Sequence, residues 1–218
     1  MERIIYIVGE DEMTCQVIFR LLGLYAGKVL GATLVTLPAR GGQLKSKLPS
    51  LVELARKNAI VVVLLDLDND YCPPLLKQKL LSSCGELPDT FFFNIAVDEV
   101  EAWLFADRQN FAEFLCVKSE LLPESCQTKL GGPRWVTELC VDYKSSLLLT
   151  HKVAVESTDE RIRKGVGVMD PMEKCKGAEY NGIMTEFVKY HWDPENARMC
   201  STSLDRFVKR IELLNELL

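Results

Sequence analysis

Several common signatures are missing from this 218-residue chain. No apolar run approaches the roughly 18 residues that a membrane-crossing helix needs, and the longest buried-looking stretch, Ile60–Leu65, has the length of a strand. The first residues carry charge at Glu2 and Arg3 and pass straight into a strand pattern, so neither a signal nor a transit peptide is expected. The eight cysteines include no CxxC pair, and none stands at zinc-finger spacing from His151 or His191, the two histidines of the chain. Reduced thiols in a cytoplasmic protein are the plain expectation. There is no GxxxxGK[ST] phosphate loop, so nucleotide binding by that route is excluded, and no GxSxG nucleophile elbow. Neither internal repeats nor low-complexity tracts occur. A basic surplus is also lacking: 26 Lys and Arg stand against 31 Asp and Glu, a net charge of −5. That argues against a stand-alone nucleic-acid binder with a basic face, but not against an enzyme whose carboxylates are offset by metal ions.

What is present is a hydrophobic content of 48%, enough for a sizeable core. Its pattern alternates between strand and helix. Ile4–Val8 reads as a buried strand ending at Gly9, and 14–27 follows with helical spacing of Val17, Leu21, Leu22 and Leu24. The stretch 33–37 is a second strand, 38–42 a loop, and 45–58 a second helix. Ile60–Leu65, rich in Val and Leu without interruption, reads as a strand buried on both faces, as in a parallel sheet. A helix over 75–81, a strand over 91–97 and helical segments over 100–107 and 110–116 complete the first half. Four strands alternating with helices predict an α/β fold with a parallel sheet flanked by helices. Beyond about residue 120 only helical segments are predicted, near 145–163, 172–189 and 203–217. The expected organisation is therefore an α/β domain over 1–120 and a helical C-terminal annex over 121–218.

Acidic residues fall at the ends of the strands, where parallel sheets place their ligands. Glu10, Asp11 and Glu12 follow the first strand; Asp66, Asp68 and Asp70 the third; Asp98, Glu99 and Glu101 the fourth. Crowded carboxylates repel unless a cation neutralises them. Magnesium suits such a set because it takes oxygen ligands and retains water. In an extended segment Asp66 and Asp68 point to the same side. For any one acid taken singly, a helix cap or a solvated loop residue is the favoured reading, and Asp70 and Glu99 are left in that class. Glu10, Asp66 and Asp68 together read as a metal site.

The motifs Glu10-Asp11-Glu12-Met13-Thr14 and Leu64-Leu65-Asp66-Leu67-Asp68, each after a strand, resemble those of the Toprim domain, which serves topoisomerases, primases and the OLD-family nucleases. The likeness is closer to small Toprim-like proteins encoded beside ATPases in prokaryotic anti-phage defence loci. It extends to Arg40-Gly41-Gly42 with Lys45 and Lys47, to Glu101-Ala102-Trp103-Leu104-Phe105-Ala106-Asp107, and loosely to Ser203-Leu204-Asp205-Arg206-Phe207. The glycine that usually follows the motif glutamate is Asp11 here. The resemblance implies a magnesium- or manganese-dependent nuclease acting on DNA or RNA, including tRNA. Glu10, Asp66 and Asp68 would be catalytic and metal-binding, and Glu101 a further ligand, although by position alone Glu101 reads equally as a first-turn helix acid. Arg40, Lys45 and Lys47 would contact phosphate, with a solvated helix face as the equal alternative. The resemblance further implies an ATPase partner, and it is compatible with a homo-oligomer. Two other readings stay open: another Asp-x-Asp phosphoryl- or glycosyl-transfer enzyme, and a non-catalytic, partner-binding subunit. Trp103 and Phe105 read as core, His191 and Trp192 as packing, and His151 with Lys152 as a surface pair.

Overall fold

The computed structural model describes residues 4–37, 43–67, 72–122, 146–167 and 176–217. Four parallel strands, β1 (Ile4–Val8), β2 (Thr33–Thr36), β3 (Ile60–Asp66) and β4 (Phe91–Ala96), form a sheet in the order β2-β1-β3-β4. Ile5 pairs with Leu34 and with Ile60, and Val63 with Phe93. From Ile60 to Leu65 every residue of β3 is buried, as a central strand covered on both faces requires. The order places all four carboxyl ends on one edge.

Two compact units divide the chain: 1–96 with 206–218, and 97–205. The first holds the sheet with α1 (Glu12–Tyr25), α2 (Gln43–Arg56) and α3 (Pro73–Leu81). α1 packs on β1 and β3, and α2 on β3 and α3. The second unit holds α4 (Val100–Ala106), α5 (Arg108–Phe114), α6 (Ser146–Val155), α7 (Glu160–Gly165), α8 (Tyr180–Tyr190) and α9 (Pro194–Cys200). Helix α10 (Thr202–Glu212) begins in the second unit and enters the first at Arg206, and α11 (Leu214–Leu217) ends the described chain. No strand follows β4 among the described residues, so the C-terminal region is helical. The change of sequence pattern near residue 120 falls inside the second unit.

In the second unit all seven residues of α4 are buried. Trp103 is fully buried, and its Nε1 donates to Ser203 Oγ at 2.8 Å. Phe111 and Phe187 meet at 5.0 Å between ring centroids. Trp192 is also buried, as the sequence suggested. His151 differs from the expected surface position. It is 3% exposed, whereas Lys152 beside it is exposed. The apolar residues around His151 in α6 leave no wholly polar face, so a local reading underestimates its burial.

Gly9 sets the junction between β1 and α1. A Cβ there would stand 2.8 Å from Thr14 Cγ2 and 3.0 Å from the Cys15 backbone nitrogen. Thr14 is itself buried, and the Cys15 nitrogen belongs to the helix backbone, so neither neighbour yields easily. Gly9→Ala is expected to cost about 1–3 kcal/mol by overpacking, read as a lower denaturation midpoint. An unchanged midpoint would mean that α1 can shift without loss.

Candidate functional site

The candidate site begins where β1 turns into α1. Asp11 is the N-cap of α1: its Oδ1 accepts from Thr14 N and from Thr14 Oγ1, both at 2.8 Å. Its φ of −147° is extended backbone, which any residue adopts. The glycine usual at this position in Toprim-like motifs is thus not needed for backbone freedom, and the aspartate instead satisfies an amide of the first helical turn. That capping leaves Glu10 as the acid directed elsewhere. Glu10 Oε1 accepts a hydrogen bond from the Asp66 backbone nitrogen at 3.2 Å. Residues 56 positions apart are thereby joined at the carboxyl edge of β1 and β3, neighbours in the sheet. Both acids are half-buried. Leu67 follows with its side chain buried and its nitrogen donating to the Ala96 carbonyl at 3.0 Å.

Asp68, the third acid of the motif, lies outside the described residues, as do Asp70 and Arg40. Among the described residues no group of three or more His, Cys, Asp or Glu is set to hold a metal ion. The chemistry of the pair still fits magnesium, which binds through one or two carboxylates and keeps several waters. Lys45 and Lys47 lie in the first turns of α2, Lys45 half-buried and Lys47 exposed. Because α2 follows β2, it starts from the same carboxyl edge as Glu10 and Asp66. Cys15, in the first turn of α1, offers no nucleophile. Burial, reinforced by the charges of Asp11 and Glu12 and opposed by a hydrogen bond with Gly9, pushes its thiol up to about 11, so it stays protonated near neutrality.

In the second unit, Glu101 is 1% exposed and engaged by two partners. Its Oε1 accepts from Tyr180 Oη at 2.8 Å and pairs with Lys176 Nζ at 3.0 Å. Lys176 Nζ also lies 5.1 Å from the centroid of the Tyr180 ring. The His151 ring stands 5.2 Å from the same tyrosine, and its Nδ1 is bonded to the Val166 carbonyl. Burial pushes the pKa of His151 down. Its Nε2 is buried without a hydrogen-bond partner. Sequence reasoning found Glu101 but neither Lys176 nor Tyr180, since no local pattern marks partners 75 or more residues away.

Asp98 and Glu99 serve the start of α6. Asp98 Oδ2 accepts from Ser146 N at 2.9 Å, and Glu99 Oε2 accepts from Leu147 N at 2.6 Å and from Ser146 Oγ at 3.2 Å. Orphan amides of a helix N-terminus are thus satisfied by acids 47 and 48 residues earlier. Burial, then the charge of Glu101, pushes Glu99 up to about 8 despite these donors. Glu99 therefore holds its proton more tightly folded than unfolded. Its contribution to stability is complete below its ordinary value of 4.5 and is lost as pH rises towards about 8. The stability difference between wild type and Glu99→Gln should accordingly shift in favour of the variant between about pH 5 and 8.5. Denaturant midpoints at the two pH values measure it, and a difference independent of pH would contradict the raised value.

The fold is similar to that of the C-terminal region of the OLD protein of Xanthomonas campestris pv. campestris, at 15% identity and a TM-score of 0.47, over 100% of this chain and 97% of that chain. It is likewise similar to the C-terminal region of the Burkholderia pseudomallei OLD protein, at 16% identity and a TM-score of 0.42, over 99% of each chain. No family model and no curated protein matches the sequence. What the site can do is therefore read from Glu10 and Asp66 themselves.

Proposed function

We propose that this chain is a magnesium- or manganese-dependent nuclease of Toprim type, cleaving phosphodiester bonds of DNA or RNA. The observation that supports it most is the bond from Asp66 N to Glu10 Oε1, which joins the two motif acids at the carboxyl edge of a parallel sheet. Glu10 and Asp66 would hold the metal, with Asp68 from the same motif. Bound there, the ion would supply charge stabilisation for the phosphoryl oxygens and a more acidic water. The part of the protein itself is to fix the carboxylates. Asp11, by capping α1, and Gly9, by allowing the tight turn, hold Glu10 against β3. Glu10 would accept the proton of the attacking water. Lys45 and Lys47, with Arg40, would contact the phosphate backbone from the start of α2. Glu101 would add a further ligand only by exchanging the partners described above. An ATPase that controls the cleavage, in an anti-phage defence setting in the cytoplasm, follows from the motif resemblance alone.

The test is incubation of the purified protein with labelled single- and double-stranded DNA, RNA and tRNA, with magnesium, with manganese, and with EDTA. Metal-dependent cleavage lost in Asp66→Asn supports the proposal. Phosphatase turnover without cleavage would favour another Asp-x-Asp enzyme. Biological activity that survives replacement of Glu10 and Asp66 would favour a partner-binding subunit.

A further inference from the structure

One residue of β4 is out of keeping with its strand. The strand reads Phe-Phe-Phe-Asn-Ile-Ala, and every residue except Asn94 is apolar and buried. Asparagine is depleted in strands. The Asn94 side chain is half-buried, and its Nδ2 is shut off from water with no hydrogen-bond partner. That nitrogen carries two donors, and a buried donor left unpaired is unfavourable.

The neighbours explain why no acceptor is found. Side chains two residues apart share a face of the sheet, and so do paired residues of adjoining strands. Asn94 therefore shares its face with Phe92, with Ala96 and with Leu64, its partner on β3. None of these side chains accepts a hydrogen bond. Arg210, from the part of α10 in the same unit, lies 5.9 Å from the Phe92 ring centroid and donates to the Phe93 carbonyl at 2.6 Å. A guanidinium offers donors only, so it cannot satisfy Nδ2. The same register places one acceptor on this face. Asp66 pairs with Ala96 and so stands one diagonal step from Asn94. Two residues along and one strand across is about 8 Å between Cα atoms. An amide and a carboxylate extended towards one another close most of that gap.

We infer that Asn94 is a positioning residue of the candidate metal site, its Nδ2 donating to the Asp66 carboxylate when that group holds a divalent ion. The inference rests on the reading of Asp66 as a metal ligand. A carboxylate that gives one oxygen to an ion leaves the other to be oriented by a neighbour. An amide does this without adding a positive charge that would repel the ion. Without the ion the donor is left over, so stability is given up for the site.

The test compares wild type with Asn94→Leu, which has a similar shape and no donor, and with Asn94→Ser, which keeps a shorter donor. In EDTA, Asn94→Leu should unfold at a higher temperature than wild type, because it removes an unpaired buried group. Manganese affinity is then measured without nucleic acid, from the paramagnetic resonance signal of the free ion. Asn94→Leu should bind manganese about tenfold more weakly than wild type. Asn94→Ser should lose less, since its hydroxyl still donates. In the Asp66→Asn background, Asn94→Leu should weaken manganese binding no further. Equal affinity in wild type and Asn94→Leu, or a lower midpoint for Asn94→Leu in EDTA, would overturn the assignment and leave the metal reading standing. A wild type that binds no manganese would overturn both. A wild type that binds manganese more tightly than Asn94→Leu, yet cleaves no nucleic acid, would uphold the assignment and set aside the nuclease reading alone.

Discussion

Glu10→Gln should reduce metal-dependent cleavage by at least about a hundredfold, with little change in fold stability. The substitution keeps an oxygen where Oε1 accepts from Asp66 N, so the link between the turn and β3 survives. What it removes is the charge, and with it both the attraction for a divalent ion and the capacity to take a proton. Asp66→Asn should act in the same direction. The two effects should not add in the double variant, because each alone dismantles the same centre. Asp11→Ala provides the contrast. It deletes the N-cap of α1, which costs about 1 kcal/mol, but leaves both motif acids in place. Its cleavage should fall far less than that of Glu10→Gln. The readout is the single-turnover rate at saturating magnesium, with denaturant midpoints measured alongside. Full activity in Glu10→Gln would remove Glu10 from the chemistry and leave its bond to Asp66 as a structural link.

The sheet was legible because its strands carry their burial in their composition. Ile60–Asp66 has no polar residue until its end, and the observed strand runs one residue past the stretch read from the sequence. The start of α1 was less legible. Apolar spacing suggested position 14, but the helix begins at Glu12 because Asp11 caps it. Two prolines likewise open α3 at Pro73, ahead of its apolar face. In the helical half, segmentation was harder to read. The predicted helix over 145–163 divides into α6 and α7, because Asp159 caps a new start, accepting from Arg161 N at 2.7 Å. Helix α9 was missed although Asp193-Pro194 carries both cap and N1 signals. The stretch 172–175 of another predicted helix lies outside the described residues, and α8 starts only at Tyr180.

Site residues follow the same logic. The pairing of Glu10 with Asp66 was accessible, since both end neighbouring strands and parallel topology brings such ends together. The roles of Asp98 and Glu99 were not. Read as a local cap or solvated acid, Glu99 is instead half-buried, with partners at the start of α6. Nothing in a sequence fixes which distant helix start a carboxylate will serve, because that depends on the packing of whole elements.

The same dependence on packing gives Glu101→Ala its large expected effect on stability. Glu101 is buried and satisfied by Lys176 and Tyr180. Removing it takes the carboxylate away from Lys176 and the acceptor away from the Tyr180 hydroxyl, and breaking a buried pair in this way costs about 3–5 kcal/mol. Lys176 is 24% exposed and can turn partly to solvent, which places the expectation in the lower part of that range. Glu101→Gln should lose less, because its amide oxygen still accepts from Tyr180. Denaturant unfolding in EDTA measures this contribution with no metal present. Repeating it with magnesium then separates the two roles of Glu101. If it is also a ligand, magnesium will stabilise wild type more than Glu101→Gln, by the linkage of binding to folding. If it serves only the pair with Lys176, the two proteins will gain equally from the ion. A Glu101→Ala protein as stable as wild type in EDTA would show that the buried pair contributes nothing to holding α4 in its unit.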